Sequence, residues 1–170
     1  QAVAVLNDVK YDPAIIKKDR AQNIFADSFL VFQARMATAA RVKKGQAIVV
    51  KHKAIFDSVE KKYGVPAPVI AAFWALETDF GGFMGDSPTI QSIATLAWDC
   101  RRNDFFTPHL IGALKLVDQG TISAKSVGAK HGELGHTQFL PGNALQYGVD
   151  ANGDGRVDLT NTTDALATTA

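Results

Sequence analysis

The sequence predicts one mainly α-helical domain. Apolar residues recur at helical spacing along most of the chain, helix-starting and helix-stopping residues fall where that spacing begins and ends, and strand-like alternation is nearly absent. The 170 residues, 46% hydrophobic and 21% charged, have ordinary globular composition and enough length for a buried core.

Asp12-Pro13 opens the first helix, an N-cap acceptor followed by a proline whose missing N–H costs nothing there. From it to about Arg41, the residues Ile16, Ile24, Phe25, Phe29, Phe32 and Met36 keep a helical period. A second helix is expected from about Gln46 to Tyr63, with Gly64 as its stop. Pro66 and Pro68 open a third. Its body, Val69 to Leu76, is eight consecutive apolar residues, and a helix apolar on every face is expected in the centre of its domain. Glu77 and Thr78 continue it and Gly81-Gly82 end it. Ser87-Pro88 caps a fourth helix running to about Trp98, and another spans about Asp104 to Gln119, stopped by Gly120. A short helix is expected after Ser123, a glycine-rich loop over Gly132 to Gly142 feeding a brief helix, a polar turn over Asp150 to Asp158, and a last helix near Thr162. Arg156 to Leu159 is the one candidate strand.

A formal net charge of +1 gives no general field toward nucleic acid or anionic lipid, so no nucleic-acid partner is expected. The single cysteine, Cys100, rules out an internal disulfide and a cysteine-rich zinc site, and leaves the compartment open. No run of about 18 apolar residues occurs, so no transmembrane segment is expected; any export signal or lipid anchor would have been removed upstream.

Glu77 is the sharpest chemical feature. A carboxyl group directly after eight apolar residues is expected at the edge of the core, where desolvation favours its neutral form. A carboxylic acid kept protonated near neutral pH suits general-acid cleavage of a glycosidic bond. The competing structural reading pairs Glu77 with Arg101 or Arg102.

Four strings, FWALETDFGG, SIATLAWDCRR, GELGHTQFLPG and GVDANGDGRVDL, in this order and spacing, resemble the membrane-bound lytic murein transglycosylase B family. The resemblance covers about Val65 to Ala170; the first sixty residues resemble the family's N-terminal helices only loosely. It implies a lysozyme-like, mainly α catalytic domain over residues 1–170, acting on peptidoglycan glycan strands in the periplasm or cell envelope of a bacterium, as a monomer. It further implies cleavage of the β-1,4 bond between N-acetylmuramic acid and N-acetylglucosamine by one glutamate, which maps to Glu77, leaving 1,6-anhydro ends and consuming no water. No cofactor is implied for catalysis.

That chemistry needs no second carboxylate, whereas ordinary glycosidases place one about 5–9.5 Å from the first. Asp79, two residues on, points to a different helix face. Asp86 and Glu133 are the remaining candidates; for Glu133 a local hydrogen bond fixing its loop is the alternative. The resemblance assigns Gln138 and Phe139 to the sugar groove and Arg101 and Arg102 to the peptide stem or its carboxylates, and Thr78 joins them as a substrate contact beside the acid. The alternatives are core packing for Phe139, and a solvated pair or ion pairs with Asp99 or Asp104 for the arginines.

The sequence also departs from the family. Many relatives carry Ser-aromatic-Ala-Gly-Ala-Met-Gly before the Gln-Phe pair; here Ala129 to Gly135 read AKHGELG, without the serine or the aromatic. Relatives also continue past the polar loop with helices that supply groove tyrosines, so the C-terminal part of the family domain is expected to be absent; Tyr147 is the only tyrosine beyond the second helix.

Asp150, Asn152, Asp154, Gly155 and the Arg156 carbonyl match the start of an EF-hand loop for Ca2+. Position 12 is Asn161 instead of glutamate; the resemblance closes a longer loop with Asp164. A structural calcium pinning the last helix is the expectation, and an ion-free Asp/Asn/Gly turn the alternative. Zinc at HGELGH is rejected, because His131 and His136 lie five apart with glycines between and share no helix face. Three functional classes therefore stand: a lytic transglycosylase; a lysozyme-type hydrolase using Glu133 or Asp86; and a non-catalytic peptidoglycan-binding or calcium-stabilised module. A calcium sensor is weaker, since sensor loops usually come in pairs and one is present.

Overall fold

A computed structural model describes residues 2–21 and 27–170, and among them the chain is built of helices plus one two-stranded sheet. The N-terminal third is more finely divided than its periodicity suggests. Helix α1 (Ala2–Asn7) precedes α2 (Pro13–Arg20), α3 (Phe29–Met36), α4 (Ala39–Lys51) and α5 (Lys53–Tyr63). The expected continuous helix to Arg41 is thus several, because three acceptor side chains each start one: Asp12 accepts from the Ala14 N–H, Ser28 from Val31 and Thr38 from Arg41. Ile24 and Phe25 lie outside the described residues. The expected helix from Gln46 breaks at His52, whose backbone leaves helical geometry and separates α4 from α5.

From Val65 onward most elements fall where expected. Helix α6 (Ala67–Thr78) carries Glu77; strand β1 (Ser87–Pro88) leads into α7 (Thr89–Trp98), followed by α8 (Asn103–Asp118). The segment after Ser123 is a turn closed by the Ser126 N–H on the Ser123 carbonyl, and it leads into β2 (Val127–Gly128), not a helix. β2 pairs antiparallel with β1, Ser87 opposite Gly128. Arg156 to Leu159 is irregular, not a strand. Helices α9 (Pro141–Tyr147) and α10 (Thr162–Thr169) complete the fold.

The core has three parts. Ile15 and Ile16 of α2 pack with Ile90, Ile93 and Leu96 of α7 and Phe106 of α8. Phe56 and Val59 of α5 pack with Ile70 and Trp74 of α6 and Leu166 of α10. Leu116, Leu134, Ala144 and Leu159 form the third.

Helix α6 is not buried on every face. Ala67, Ile70, Ala71, Trp74, Ala75 and Thr78 turn inward, while Val69, Phe73 and Leu76 stay exposed, Phe73 at 53%. An unbroken apolar run carries no moment to say which side faces in. Here α4 and α10 cover only the side bearing the small residues and Trp74.

Candidate active site

Glu77 lies in the last turn of α6, one and two turns beyond the exposed Phe73 and Val69. Its side chain is exposed, further out than the edge-of-core placement expected, because it lies on the open face of α6. The carboxyl is nevertheless raised above the usual glutamate range, chiefly by desolvation and further by the Glu133 carboxylate. No basic side chain occupies the last turn of α6, so nothing there offsets the negative end of the helix dipole.

The backbone beyond Glu77 is held by tertiary bonds. Asp79 and Phe80 have φ of 50° and 63°, and Gly81 has 78°. Thr78, only 3% exposed, accepts from the Gly81 N–H at 2.9 Å and donates to the His136 carbonyl at 2.6 Å. Trp74 Nε1 approaches His136 Nδ1 at 3.1 Å. Thr78 is therefore a clasp between α6 and the 129–140 loop, its hydroxyl engaged by both. A Cβ on Gly81 would collide with the His136 ring.

Asp79 belongs to a separate set. Its carboxylate receives Lys44 at 2.6 Å and lies 3.7 Å from Arg41, both on α4; the Lys44 hydrogen bond holds its pKa below the usual range.

Glu133 makes the local hydrogen bond considered for it. One carboxylate oxygen accepts the His131 N–H at 3.0 Å and the other meets His131 Nδ1 at 2.9 Å. Burial pushes its pKa up, but the bonds and charge of His131 outweigh that and hold it below the usual range. The other ring nitrogen of His131 lies 3.4 Å from Asp19, a carboxylate on α2 only 4% exposed. Asp19 is also the ion-pair partner of Arg101 and Arg102. Neither arginine pairs with Glu77, and the expected pairing with Asp99 is confined to a 3.8 Å approach by Arg101. The arginines thus face a buried carboxylate of their own chain. Sequence reasoning missed Asp19: it sits among Lys17, Lys18 and Arg20, 83 positions before Arg102.

Gln138 adopts φ of 55° and donates its amide to the Gly135 carbonyl at 2.7 Å. Phe139 is partly buried and packs against the core formed by Leu116, Leu134, Ala144 and Leu159. An apolar groove of about 640 Å³ between α4 and α6 is lined by Val42, Val49, Ala72, Leu76 and Phe80 among others, on the face of α6 turned away from Glu77.

The polar loop is laced by its own carboxylates. Asp150 accepts from the N–H groups of Gly153 and Gly155, and Asp154 from that of Arg156. Asp164, 0% exposed, accepts from Ala151, Asn152 and Asp158. The donor types suit calcium, and in this structure the carboxylates of Asp150, Asp154 and Asp164 are engaged by backbone N–H groups of the loop itself. The task expected of the ion, pinning the last helix, falls to Asp164 itself. His131 faces Asp19 and Glu133 while His136 faces Trp74, so the two histidines form no common zinc site.

The chain belongs to the Transglycosylase SLT domain family, which matches residues 1–170. It is 28% identical over 145 residues to membrane-bound lytic murein transglycosylase B of Escherichia coli (strain K12), covering 84% of this chain and 40% of that protein. Among solved structures it resembles SltB3 from Pseudomonas aeruginosa in complex with NAG-NAM-pentapeptide, at 36% identity and a TM-score of 0.89, over 97% of this chain and 45% of that one. SltB3 also has a structure with NAG-anhNAM-pentapeptide, matched at a TM-score of 0.87. Escherichia coli Slt35 in complex with calcium shares the fold, with a TM-score of 0.87 at 24% identity. The chain spans less than half the length of the first two relatives.

Proposed function

We propose that this chain carries the acid/base centre of a peptidoglycan lytic transglycosylase, with Glu77 performing both proton transfers. Protonated Glu77 gives its proton to the glycosidic oxygen between N-acetylmuramic acid and N-acetylglucosamine as the C1–O bond breaks. The resulting Glu77 carboxylate takes the proton of the muramoyl C6 hydroxyl while that oxygen bonds to C1. A 1,6-anhydro end forms, the glutamate ends protonated, and no water enters.

The observation that carries this is the raised Glu77 carboxyl beside a Glu133 whose two oxygens are both committed to His131. A hydrolase needs a second carboxylate to activate water, and of the two considered, Glu133 is engaged through both oxygens by His131. SltB3 with an anhydro-muramoyl ligand supports the same chemistry through a relative. Gln138 is the proposed sugar contact from the loop. The partner is the peptidoglycan glycan strand, the setting a bacterial envelope, and the working unit a monomer. Digestion of purified murein with the wild-type chain and with Glu77→Gln tests this: mass spectrometry should find ends one water lighter than reducing ends, and the variant should release none.

For calcium, the sequence pattern points to Asp150, Asn152, Asp154, the Arg156 carbonyl and Asp164. With Asp164 already satisfied by three N–H groups, we assign any ion here an accessory role in stability and none in the reaction.

A further inference from the structure

The turn between α7 and α8 presents an aromatic ring and several guanidinium groups that the acid/base centre does not use. Trp98, the last residue of α7, is 81% exposed, while its neighbours Leu96 and Ala97 are buried. A large apolar ring left in water is informative where its surroundings are fixed, and here they are. The Arg102 N–H closes the turn on the Asp99 carbonyl at 3.0 Å, and the Asn103 amide reaches back to the Ala97 carbonyl. Asp99 is buried, and its carboxylate holds Arg20 of α2 at 3.3 Å and meets Arg101 at 3.8 Å. A second buried carboxylate, Asp19, holds Arg101 and Arg102. The two arginines of the turn differ. Arg102 lies over the rings of Phe105 and Phe106, 5.1 and 4.6 Å from their centres, and is mostly covered. Arg101 and Arg20 are half-exposed, each tied to a buried carboxylate. Three guanidinium groups over two carboxylates leave this surface cationic.

We propose that Trp98 is a second point of attachment for the glycan strand, on a different helix from Glu77. A sugar ring packs its C–H face on the indole while a carboxylate of an adjoining peptide stem lies across Arg101 and Arg20. This rests on the peptidoglycan reading and adds to it a binding contact and the part of the substrate it takes. Two properties of the surface select this occupant. A pyranose offers an apolar face of C–H groups edged by hydroxyls, and indole offers a flat ring with one N–H donor. The two meet without burying an unpaired polar group. A guanidinium takes a carboxylate through directed, charge-assisted N–H bonds, and peptide stems end in carboxylates. Because Asp99 and Asp19 already hold the guanidinium groups, and indole has few rotors, binding has little left to order.

The test reads Trp98 directly, so it does not depend on turnover. The chain has two tryptophans, Trp74 buried and Trp98 in water, and their indole N–H signals are separate probes in proton–nitrogen NMR. The Trp98 signal is assigned by its loss in Trp98→Phe. It is then followed in the wild-type chain as the disaccharide GlcNAc-MurNAc carrying a tetrapeptide is added. That probe lacks the MurNAc-GlcNAc bond and is not consumed. The Trp98 signal should shift progressively, and that of Trp74 should move less. A Trp98 signal that stays in place throughout overturns the proposal, whether or not other signals move. A Trp98 signal that shifts with protein concentration in the absence of sugar also overturns it, since that marks a contact between copies of the chain. Arg101→Gln should weaken binding of the disaccharide-peptide several-fold and leave that of chitotetraose, which has no carboxylate, unchanged. Equal loss for both overturns the carboxylate contact. In murein digestion Trp98→Ala should raise KM several-fold more than it lowers kcat, Trp98→Phe should restore most of the loss, and anhydro ends should remain the product. An unchanged KM in Trp98→Ala overturns the proposal. If the wild type releases no anhydro ends, the acid/base reading falls, while the titration still decides on Trp98.

Discussion

The Thr78 hydroxyl bridges two parts of the chain 58 residues apart, donating to the His136 carbonyl at 2.6 Å. Because it also accepts from the Gly81 N–H, one side chain sets both the end of α6 and the height of the 129–140 loop above it. The end of α6 that carries Glu77 and the loop that carries Glu133 are therefore joined through one hydroxyl.

Thr78→Val keeps the shape and removes both bonds. Stranding a buried carbonyl and N–H is expected to cost about 1–3 kcal/mol, read as a lower urea midpoint at unchanged m. Activity should fall further than stability accounts for, while Thr78→Ser restores most of both.

Glu77→Gln should be inactive yet no less stable than wild type near neutral pH. The folded pKa of Glu77 lies above its unfolded value, so its contribution is fully present below the unfolded pKa and is lost as pH rises through the folded one. Urea denaturation at about pH 4 and about pH 7 should show the wild type losing ground relative to the variant as pH rises.

Asp164→Ala leaves the N–H groups of Ala151, Asn152 and Asp158 without their buried acceptor. A loss of about 3 kcal/mol or more is expected in thermal or urea unfolding. Asp154→Ala, on the exposed side of the loop, should cost under about 1 kcal/mol. Added calcium should raise the wild-type melting temperature by a few degrees at most, about what weak saturation supplies, and leave that of Asp154→Ala unchanged.

Gly135→Ala tests the loop's close approach. Gly135 has φ of 69°, and a Cβ there would meet the Leu159 carbonyl, which already accepts from His136. Left-handed strain alone costs an alanine about 1–2 kcal/mol, so the observed loss should exceed that.

The C-terminal two thirds was legible because its punctuation is explicit. Pro66, Ser87-Pro88 and Gly120 mark boundaries that the structure keeps within a residue or two. The N-terminal third was not, because Ser28 and Thr38 cap helices inside a run whose apolar period never breaks, and His52 interrupts a helix without glycine or proline. At the site, Glu77 was found by its contrast with eight apolar neighbours, but its exposure was not, since a uniformly apolar helix does not say which face is covered. Thr78 lies beside Glu77 in the sequence and turns inward in the fold, while Phe139 is only partly buried against the core. Asp19 could not be read at all: nothing in KKDR announces partners more than eighty residues away.

That remote anchor matters to anyone trimming the protein. Starting a shortened version at α3 would look harmless, since α6 and every loop beyond it would be retained. It would also discard Asp19, set Arg101 and Arg102 loose, and take from His131 the carboxylate behind it. It would also strip Ile15 and Ile16 from their packing against Ile90, Ile93, Leu96 and Phe106, so loss of lysis in such a piece would speak of a loosened frame and not of a missing glutamate.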